Sequence, residues 1–187
     1  MSRNIDCLTG RHPYFNEEEM EVVDQSVAVA EELVNNHYKL STSQMAQLNY
    51  DVKTSAHLLA REKAEEHFAQ IVRYSAKRKG AVLETDTEDF YKICIQDTAI
   101  LSALKKTTDL CLPPFLLYIV CHELIHIVRF RRFLQNFNAP FAERHAEESR
   151  VHGRTHDLLA GKRIEGIRQT LTFFEAWRSD GFGERDV

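Results

Sequence analysis

The sequence predicts a mainly helical fold with one small β-hairpin, an α+β class, in a single domain over residues 1–187. A chain of 187 residues has the length of one globular domain and can bury a core without disulfides. Only seven glycines and four prolines occur, so turns are few and long helices are expected. Apolar residues recur with a helical period over most of the chain, and one short run is instead aromatic and β-branched.

Six helices are predicted, separated by residues that cap or break helices. They span residues 16–37, 41–79, 98–110, 113–137, 141–160 and 164–177. Asn16 is a suitable N-cap for the first helix, and Ser41 or Ser43 for the second. Proline begins the fourth helix, and Asn138-Ala139-Pro140 forms the corner before the fifth. Residues 1–15 are expected to form an irregular lead-in, and residues 179–187 a flexible tail.

The hairpin is predicted between the second and third helices. Ala81–Glu84 and Phe90–Gln96 are expected to be its strands, joined by the turn-prone Thr85-Asp86-Thr87. The second strand is rich in aromatic and β-branched residues, which suit the pleated surface of a sheet.

Charge and cysteine usage narrow the classes of function and the location. There are 24 Lys and Arg against 28 Asp and Glu, a net charge of −4, so a basic face for nucleic acid is not expected. No apolar stretch reaches the roughly 20 residues of a membrane span, and the first ten residues contain no export signal. The chain is therefore expected to be cytoplasmic, with Cys7, Cys94, Cys111 and Cys121 as buried free thiols.

The residues best suited to chemistry form the pattern His-Glu-x-x-His at His122, Glu123 and His126. On a helix, positions i and i+4 lie one above the other, so both imidazoles can reach one metal ion. Glu123 can then lean toward a water on that ion, whose pKa zinc lowers to ~7. The flanking residues are mostly apolar, which predicts a buried motif. The alternative is a pair of core histidines with Glu123 as their hydrogen-bond acceptor.

A catalytic zinc site needs a third protein ligand, with the fourth position left to water. The next predicted helix offers Glu143, Glu147 and Glu148, which lie 17, 21 and 22 residues beyond His126. Over about residues 115–155 the chain resembles the gluzincin metallopeptidases, the thermolysin-like group. In that group the third ligand is a Glu on the next helix, some twenty residues past the second His.

The group often has its ligand in the frame Glu-x-x-Ala-Asp-x-x-Ala, where the Asp supports a ligating His. Residues 148–155 fit that frame, with His152 in the place of the Asp. The resemblance therefore implies Glu148 as the third ligand, with Glu147 as the next candidate. A neutral His accepts a hydrogen bond more weakly than a carboxylate, so direct participation of Glu147 or His152 stays open.

The resemblance implies a zinc metallopeptidase, in which Zn²⁺ is bound by His122, His126 and Glu148 and a zinc-bound water is activated by Glu123. The expected partner is a peptide or protein substrate, and neither nucleic acid nor a membrane is expected. In the group, a strand above the metal pairs with the extended substrate, and the run 90–96 is the natural candidate. An ordinary core hairpin is the alternative for that run.

Two other functions stay open. A helical di-iron carboxylate protein would use Glu123 and His126 as one Glu-x-x-His, but it needs a second, and Ser149 stands where its Glu would be. A metal-binding module of the same fold without turnover is the other, because the chain is short for a peptidase with a full cleft. Four further residues, Glu62, Glu65, Glu66 and His67, are predicted to belong to a solvated helix face.

Overall fold

The computed structural model describes residues 13–64, 66–77 and 87–175, and within them it is mainly helical with a small sheet. The helices are α1 (Glu17–Tyr38), α2 (Thr42–Ala46), α3 (Asp97–Lys106), α4 (Leu112–Arg131), α5 (Phe141–Ala160) and α6 (Ile167–Phe173). The strands are β1 (Tyr50–Thr54), β2 (Ala69–Lys77) and β3 (Thr87–Ile95). The predicted α+β class is confirmed.

Local capping signals explain the helices that match the prediction. Asn16 caps α1, since its side chain accepts from the Glu19 N–H at 2.9 Å and the Glu19 carboxylate accepts from the Asn16 N–H at 2.9 Å. The bounds of α5 agree with the predicted 141–160, from the residue after Pro140 to the residue before Gly161. Helix α3 ends at Lys106 rather than at 110, and α6 spans Ile167–Phe173 rather than 164–177, of which residues 176 and 177 lie outside the described part of the chain.

Helix α4 forms the centre of the core. Seventeen of its twenty residues are buried, and it packs against α1, α5, α6 and the sheet. It is long and apolar enough to cross a membrane, but 89% of its apolar window is buried inside the fold, as expected for a core helix. The prediction that this helix continues to Phe137 is wrong. Phe133 adopts a left-handed conformation (φ 53°), and the Leu134 N–H turns back to the Arg129 carbonyl at 2.9 Å, which ends α4.

The long helix predicted over 41–79 is also wrong. Ser41 does cap a helix, but that helix ends at Ala46, and Asn49 (φ 49°) reverses the chain before β1. Val52 and Ile71 fit a helical as well as an extended spacing, and their pairing with β3 decides in favour of strands. Local periodicity contains no information about that distant partner.

The sheet has the order β1-β3-β2, with β1 parallel and β2 antiparallel to β3. The predicted strand 90–96 is confirmed as a strand, since β3 covers 87–95. Its predicted partner 81–84 lies outside the described residues, and its antiparallel partner in the structure is β2. Because β3 is paired on both sides, it cannot offer a free edge to a peptide, so the prediction that 90–96 binds the substrate is wrong.

Candidate metal centre

Helices α4 and α5 lie side by side and bring three candidate ligands together. His122 Nε2 lies 3.2 Å from His126 Nε2 and 3.2 Å from the Glu148 carboxylate, and His126 Nε2 lies 3.3 Å from that carboxylate. Within the described ranges this is the one group of His, Cys, Asp or Glu whose donor atoms lie within 4.8 Å of one another.

The spacing of the two imidazole nitrogens fits a tetrahedral ion. Ligand atoms about 2.05 Å from zinc, at a tetrahedral angle, lie about 3.3 Å from each other. The two imidazole nitrogens, 3.2 Å apart, are close to this edge length, and each faces a different oxygen of Glu148, His122 Nε2 facing Oε2 at 3.2 Å and His126 Nε2 facing Oε1 at 3.3 Å. The donor set of two imidazoles and one carboxylate suits zinc and other divalent first-row ions.

The two imidazoles are held mainly by packing. Both are buried, at 7% and 4% exposure for His122 and His126, and neither Nδ1 atom has a hydrogen-bond partner among the described residues. A ligating histidine usually donates this second N–H to a carboxylate or carbonyl. Here the ring of His126 stacks on Phe130 at 5.9 Å, and that of His122 packs on His152 at 4.2 Å.

Glu148 and the two imidazoles favour the charged forms of one another. Burial alone would raise the pKa of Glu148, but hydrogen bonds from His122 and His126 hold it well below its ordinary value. For His126, burial opposes the charged form, but Glu148 raises the pKa above its ordinary value. The Glu148 side chain is 40% exposed, so an ionised carboxylate faces the opening of the site.

Glu123 lies beside the donor group without belonging to it. It is 9% exposed, and no hydrogen bond to its carboxylate is found in the described part of the chain. Burial raises its pKa, and the neighbouring His122 and His126 offset only part of that rise. A buried carboxylate of raised pKa has the property required of a general base near neutral pH.

The structure separates the two adjacent carboxylates of α5. Glu147 points away from the histidines and forms a buried bidentate ion pair with Arg129, whose Nη2 lies 3.0 Å from Glu147 Oε2. Arg150 binds the same carboxylate. Glu148 therefore lies at the two histidines, whereas Glu147 joins α5 to the end of α4.

His152 lies next to the donor group but is bonded elsewhere. Its Nδ1 lies 2.9 Å from the hydroxyl of Tyr118, and it is not part of the three-residue group. Burial, followed by the charge of His122, lowers its pKa to about 2, so the imidazole is neutral. His152 thus makes no hydrogen bond to the Nδ1 atom of His122, the bond that the Asp of the gluzincin frame would be expected to make.

A cavity of about 520 Å³ adjoins the donor group, and β2 forms one of its walls. The N–H of Gln96 donates to the carbonyl of Phe68 at 2.9 Å, and this bond shows which residues of β2 form hydrogen bonds with β3. Bonded and non-bonded pairs alternate in an antiparallel ladder. Phe68 and Gln70 therefore bond β3, while Ala69 and Ile71, which line the cavity, direct their N–H and C=O groups away from β3, to an edge of β2 that no strand among the described residues pairs with and that is called the free edge below.

Sequence analysis missed several residues of this cavity. His67 lines it and its charge acts on Glu123, but the sequence placed His67 on a solvated helix face. Tyr118 precedes His122 by one helical turn, so its position on the metal-facing side could have been found from the motif. Nothing in the sequence brings the chain before β2 to the motif.

Comparisons of the chain with protein families, with curated proteins and with solved structures find no match. The interpretation of the site consequently depends on its own geometry, and the resemblance to gluzincins stays a prediction.

Proposed function

We propose that the protein is a zinc-dependent metallopeptidase, in which His122, His126 and Glu148 bind the ion and Glu123 is the general base. The supporting observation is that the two imidazole nitrogens lie 3.2 Å apart, with an oxygen of the Glu148 carboxylate within 3.3 Å of each, beside a buried carboxylate that does not belong to this group. An imidazole pair held only for packing would require neither the third donor nor an adjoining cavity.

The chemistry divides between the ion and the chain. A bound zinc ion would supply Lewis acidity toward water and the peptide carbonyl. Glu123 would take a proton from the attacking water and return it to the leaving amine, a task worth ~10²–10⁴ in rate. The raised pKa of Glu123 matches it to both proton transfers.

The free edge of β2 supports a peptide as the substrate. Ala69 and Ile71 line the cavity and present their main-chain donors and acceptors on the side of β2 that does not pair with β3. Main-chain pairing of this kind binds an extended peptide and depends little on its sequence. Such a substrate would place one of its peptide bonds next to the histidines.

A single ion is favoured over a di-iron centre. One donor group exists among the described residues, and Glu147, the carboxylate next to Glu148 on α5, points away from the histidines and is paired with Arg129 and Arg150. Glu123 would then be the one carboxylate left for a second ion among the described residues that line the cavity. A cytoplasmic location is also part of the proposal, supported by Cys94 and Cys121, which are buried thiols outside any disulfide.

The decisive experiment is Glu123→Gln, which keeps the shape of the side chain and removes its basicity. The wild-type protein, loaded with zinc, is incubated with a mixed peptide library, and products are read by mass spectrometry. We expect the variant to retain zinc and fold but to lose peptide hydrolysis by ~10²-fold or more. Glu143→Gln, an exposed carboxylate of α5 that does not line the cavity, is the matched control.

Two outcomes contradict the proposal. Equal cleavage by wild type and Glu123→Gln would show that the base is assigned wrongly. A wild-type protein that holds one zinc per chain and cleaves no peptide would favour the metal-binding module over the enzyme.

A further inference from the structure

Four arginine side chains come together where the C-terminal ends of α1 and α4 pack on α5. Arg129 and Arg132 lie at the end of α4, and Arg150 and Arg154 lie one turn apart on α5. These four residues are called the arginine group. Arg129 and Arg150 both bind the carboxylate of Glu147, with Arg129 Nη2 at 3.0 Å from Glu147 Oε2, so this carboxylate links the two helices.

Arg132 and Arg154 lie beside Tyr38, the last residue of α1. The Arg132 guanidinium lies over the Tyr38 ring, 5.4 Å from its centre, and its Nη2 donates to the Tyr38 carbonyl at 3.0 Å. Burial raises the pKa of the Tyr38 hydroxyl, and the charges of Arg154, Arg129 and Arg132 oppose that rise. All three guanidinium groups are therefore near this hydroxyl, which connects the arginines of α4 with that of α5.

The arginine group has more positive charge than its surroundings balance. Among the described residues, Glu147 is the one carboxylate that forms an ion pair with any of the four, which leaves an excess of three positive charges. Asp157, the next acidic residue of α5, lies instead by the ring of His156, 3.7 Å from Nδ1. The chain as a whole has a net charge of −4, so this local excess does not reflect a basic protein.

The excess charge is accessible to a ligand. Arg129 is only 5% exposed and its charge is used by Glu147, but the Arg150 side chain is 50% exposed, and Arg132 and Arg154 are exposed as well. Like charges one helical turn apart destabilise a helix, so the fold keeps Arg150 next to Arg154 at a cost in stability. A bound anion would offset that cost.

The chemistry of the group selects the kind of anion. Each guanidinium presents its N–H donors in a planar fork, which matches two oxygens of a phosphate. A phosphate ester has a charge of about −1.5 to −2 near pH 7, so it would neutralise more of the excess than a single carboxylate could.

We propose that the arginine group is a binding site for a phosphate group, which Arg150 and Arg154 contact from α5 and Arg132 from α4. The ligand is inorganic phosphate or a phosphate ester, because both present the same tetrahedral oxygens. Arg129 and Glu147 are its positioning pair, since their buried contact holds Arg150 in place. The site goes beyond the proposed hydrolysis and does not depend on it.

The binding test titrates the purified protein with inorganic phosphate and with methyl phosphate in a calorimeter. Ionic strength is held constant with sodium chloride, because salt screens exposed charges. We expect a Kd of ~1 mM or lower for at least one ligand, and Arg154→Gln should weaken it by about 10-fold or more. Arg168→Gln, which removes an exposed arginine of α6, is the matched control and should bind like the wild type.

Two further measurements locate the site and test the folding of the variant. In nuclear magnetic resonance spectra, phosphate should shift the side-chain N–H signals of Arg150 and Arg154 and leave that of Arg168 in place. Phosphate should also raise the melting temperature of the wild type, because it binds the folded state, and should have a smaller effect on Arg154→Gln. Without phosphate, Arg154→Gln should melt no lower than the wild type, since one repulsion is removed.

The outcomes separate the source of the ligand from the existence of the site. Tighter binding of inorganic phosphate would identify a free ion as the ligand, and tighter binding of methyl phosphate would identify an ester; either result supports the site. Binding of neither ligand overturns the proposal. Equal affinity of Arg154→Gln and the wild type overturns it as well, and so do signal shifts at other residues that leave Arg150 and Arg154 unchanged.

Discussion

Glu147 and Glu148 are adjacent carboxylates with different tasks, and exchanging each for Gln should separate stability from metal binding. In the structure Glu147 pairs with Arg129, whereas Glu148 contacts both histidines. We expect Glu147→Gln to destabilise the fold and keep the metal. Glu148→Gln should keep the fold and lose the metal.

The magnitudes follow from burial. Glu147 and Arg129 are 2% and 5% exposed, so removing the carboxylate leaves a buried guanidinium without its counter-charge, at a cost of about 3–5 kcal/mol. For a chain of this size that lowers the melting temperature by roughly 6–20 °C. The Glu148 side chain is 40% exposed, so its loss should cost the metal-free protein less than about 1 kcal/mol.

The metal affinities should show the reverse order. Loss of a ligand should weaken zinc binding by more than the ~10–100-fold typical of a residue behind the ligands, whereas Glu147→Gln should change it by less than ~10-fold. The assays are urea unfolding of the metal-free protein and zinc competition with a chelator. In a double variant, Arg129→Met with Glu147→Gln, most of the lost stability should return, because no charge then remains buried alone.

One result would refute this reasoning directly. If Glu147→Gln loses zinc and Glu148→Gln retains it, Glu147 and not Glu148 faces the histidines.

Three further predictions concern the metal, the pH dependence and the free strand edge. Fresh protein should hold about one zinc per chain by mass spectrometry, and His122→Ala should remove it; two iron atoms per chain would support the di-iron alternative. Burial raises the pKa of Glu62, but hydrogen bonds from Lys92 (2.7 Å), from the Tyr74 hydroxyl and from the Leu59 N–H together outweigh it and lower the pKa to about 2 from 4.5. The pKa of Glu62 is thus lower in the folded than in the unfolded protein, so the stability that this difference contributes is present above pH 4.5 and is lost as the pH falls toward 2. The urea unfolding midpoint of Glu62→Gln should therefore decrease less over this pH range than that of the wild type. Ile71→Pro removes an N–H at the free edge of β2 that does not bond β3, so circular dichroism should show a retained fold while peptide turnover falls. Val72→Pro instead removes an N–H that bonds β3 and should unfold the sheet.

The parts of the fold that the sequence predicts are those with short-range signals. Asn16 lies three residues from Glu19, and Pro140 and Gly161 bracket α5, so both helices can be located from neighbouring residues. The sheet has no such signal. Val52 and Ile71 become strand residues because Ile93 lies between them, 41 and 22 residues further along the chain.

The residues of the candidate site likewise include some that short-range sequence signals predict and some that they do not. The spacing of His122 and His126 on one helix is sufficient to expect neighbouring imidazoles. The choice between Glu147 and Glu148 is not local, because successive helix residues point about 100° apart and only the packing of α5 on α4 fixes which one faces the histidines. The prediction that Glu62 lies on a solvated helix face is wrong, since Glu62 is buried and binds Lys92 and Tyr74. These partners are distant in sequence, so the charged residues around Glu62 do not indicate them.

All three donors belong to two consecutive helices, and His122 and Glu148 are only 26 residues apart. A bound ion would therefore act as a cross-link that closes one short stretch of chain. By the chain-entropy relation used for disulfides, closing a loop of this length stabilises the folded state by about 3.5 kcal/mol. Such a cross-link would act on α4, the central core helix, so its removal by a chelator would loosen the interior of the protein rather than its surface. Amide hydrogen exchange in α4 and α5 should then report metal occupancy more sensitively than exchange in β1, which lies at the opposite edge of the sheet.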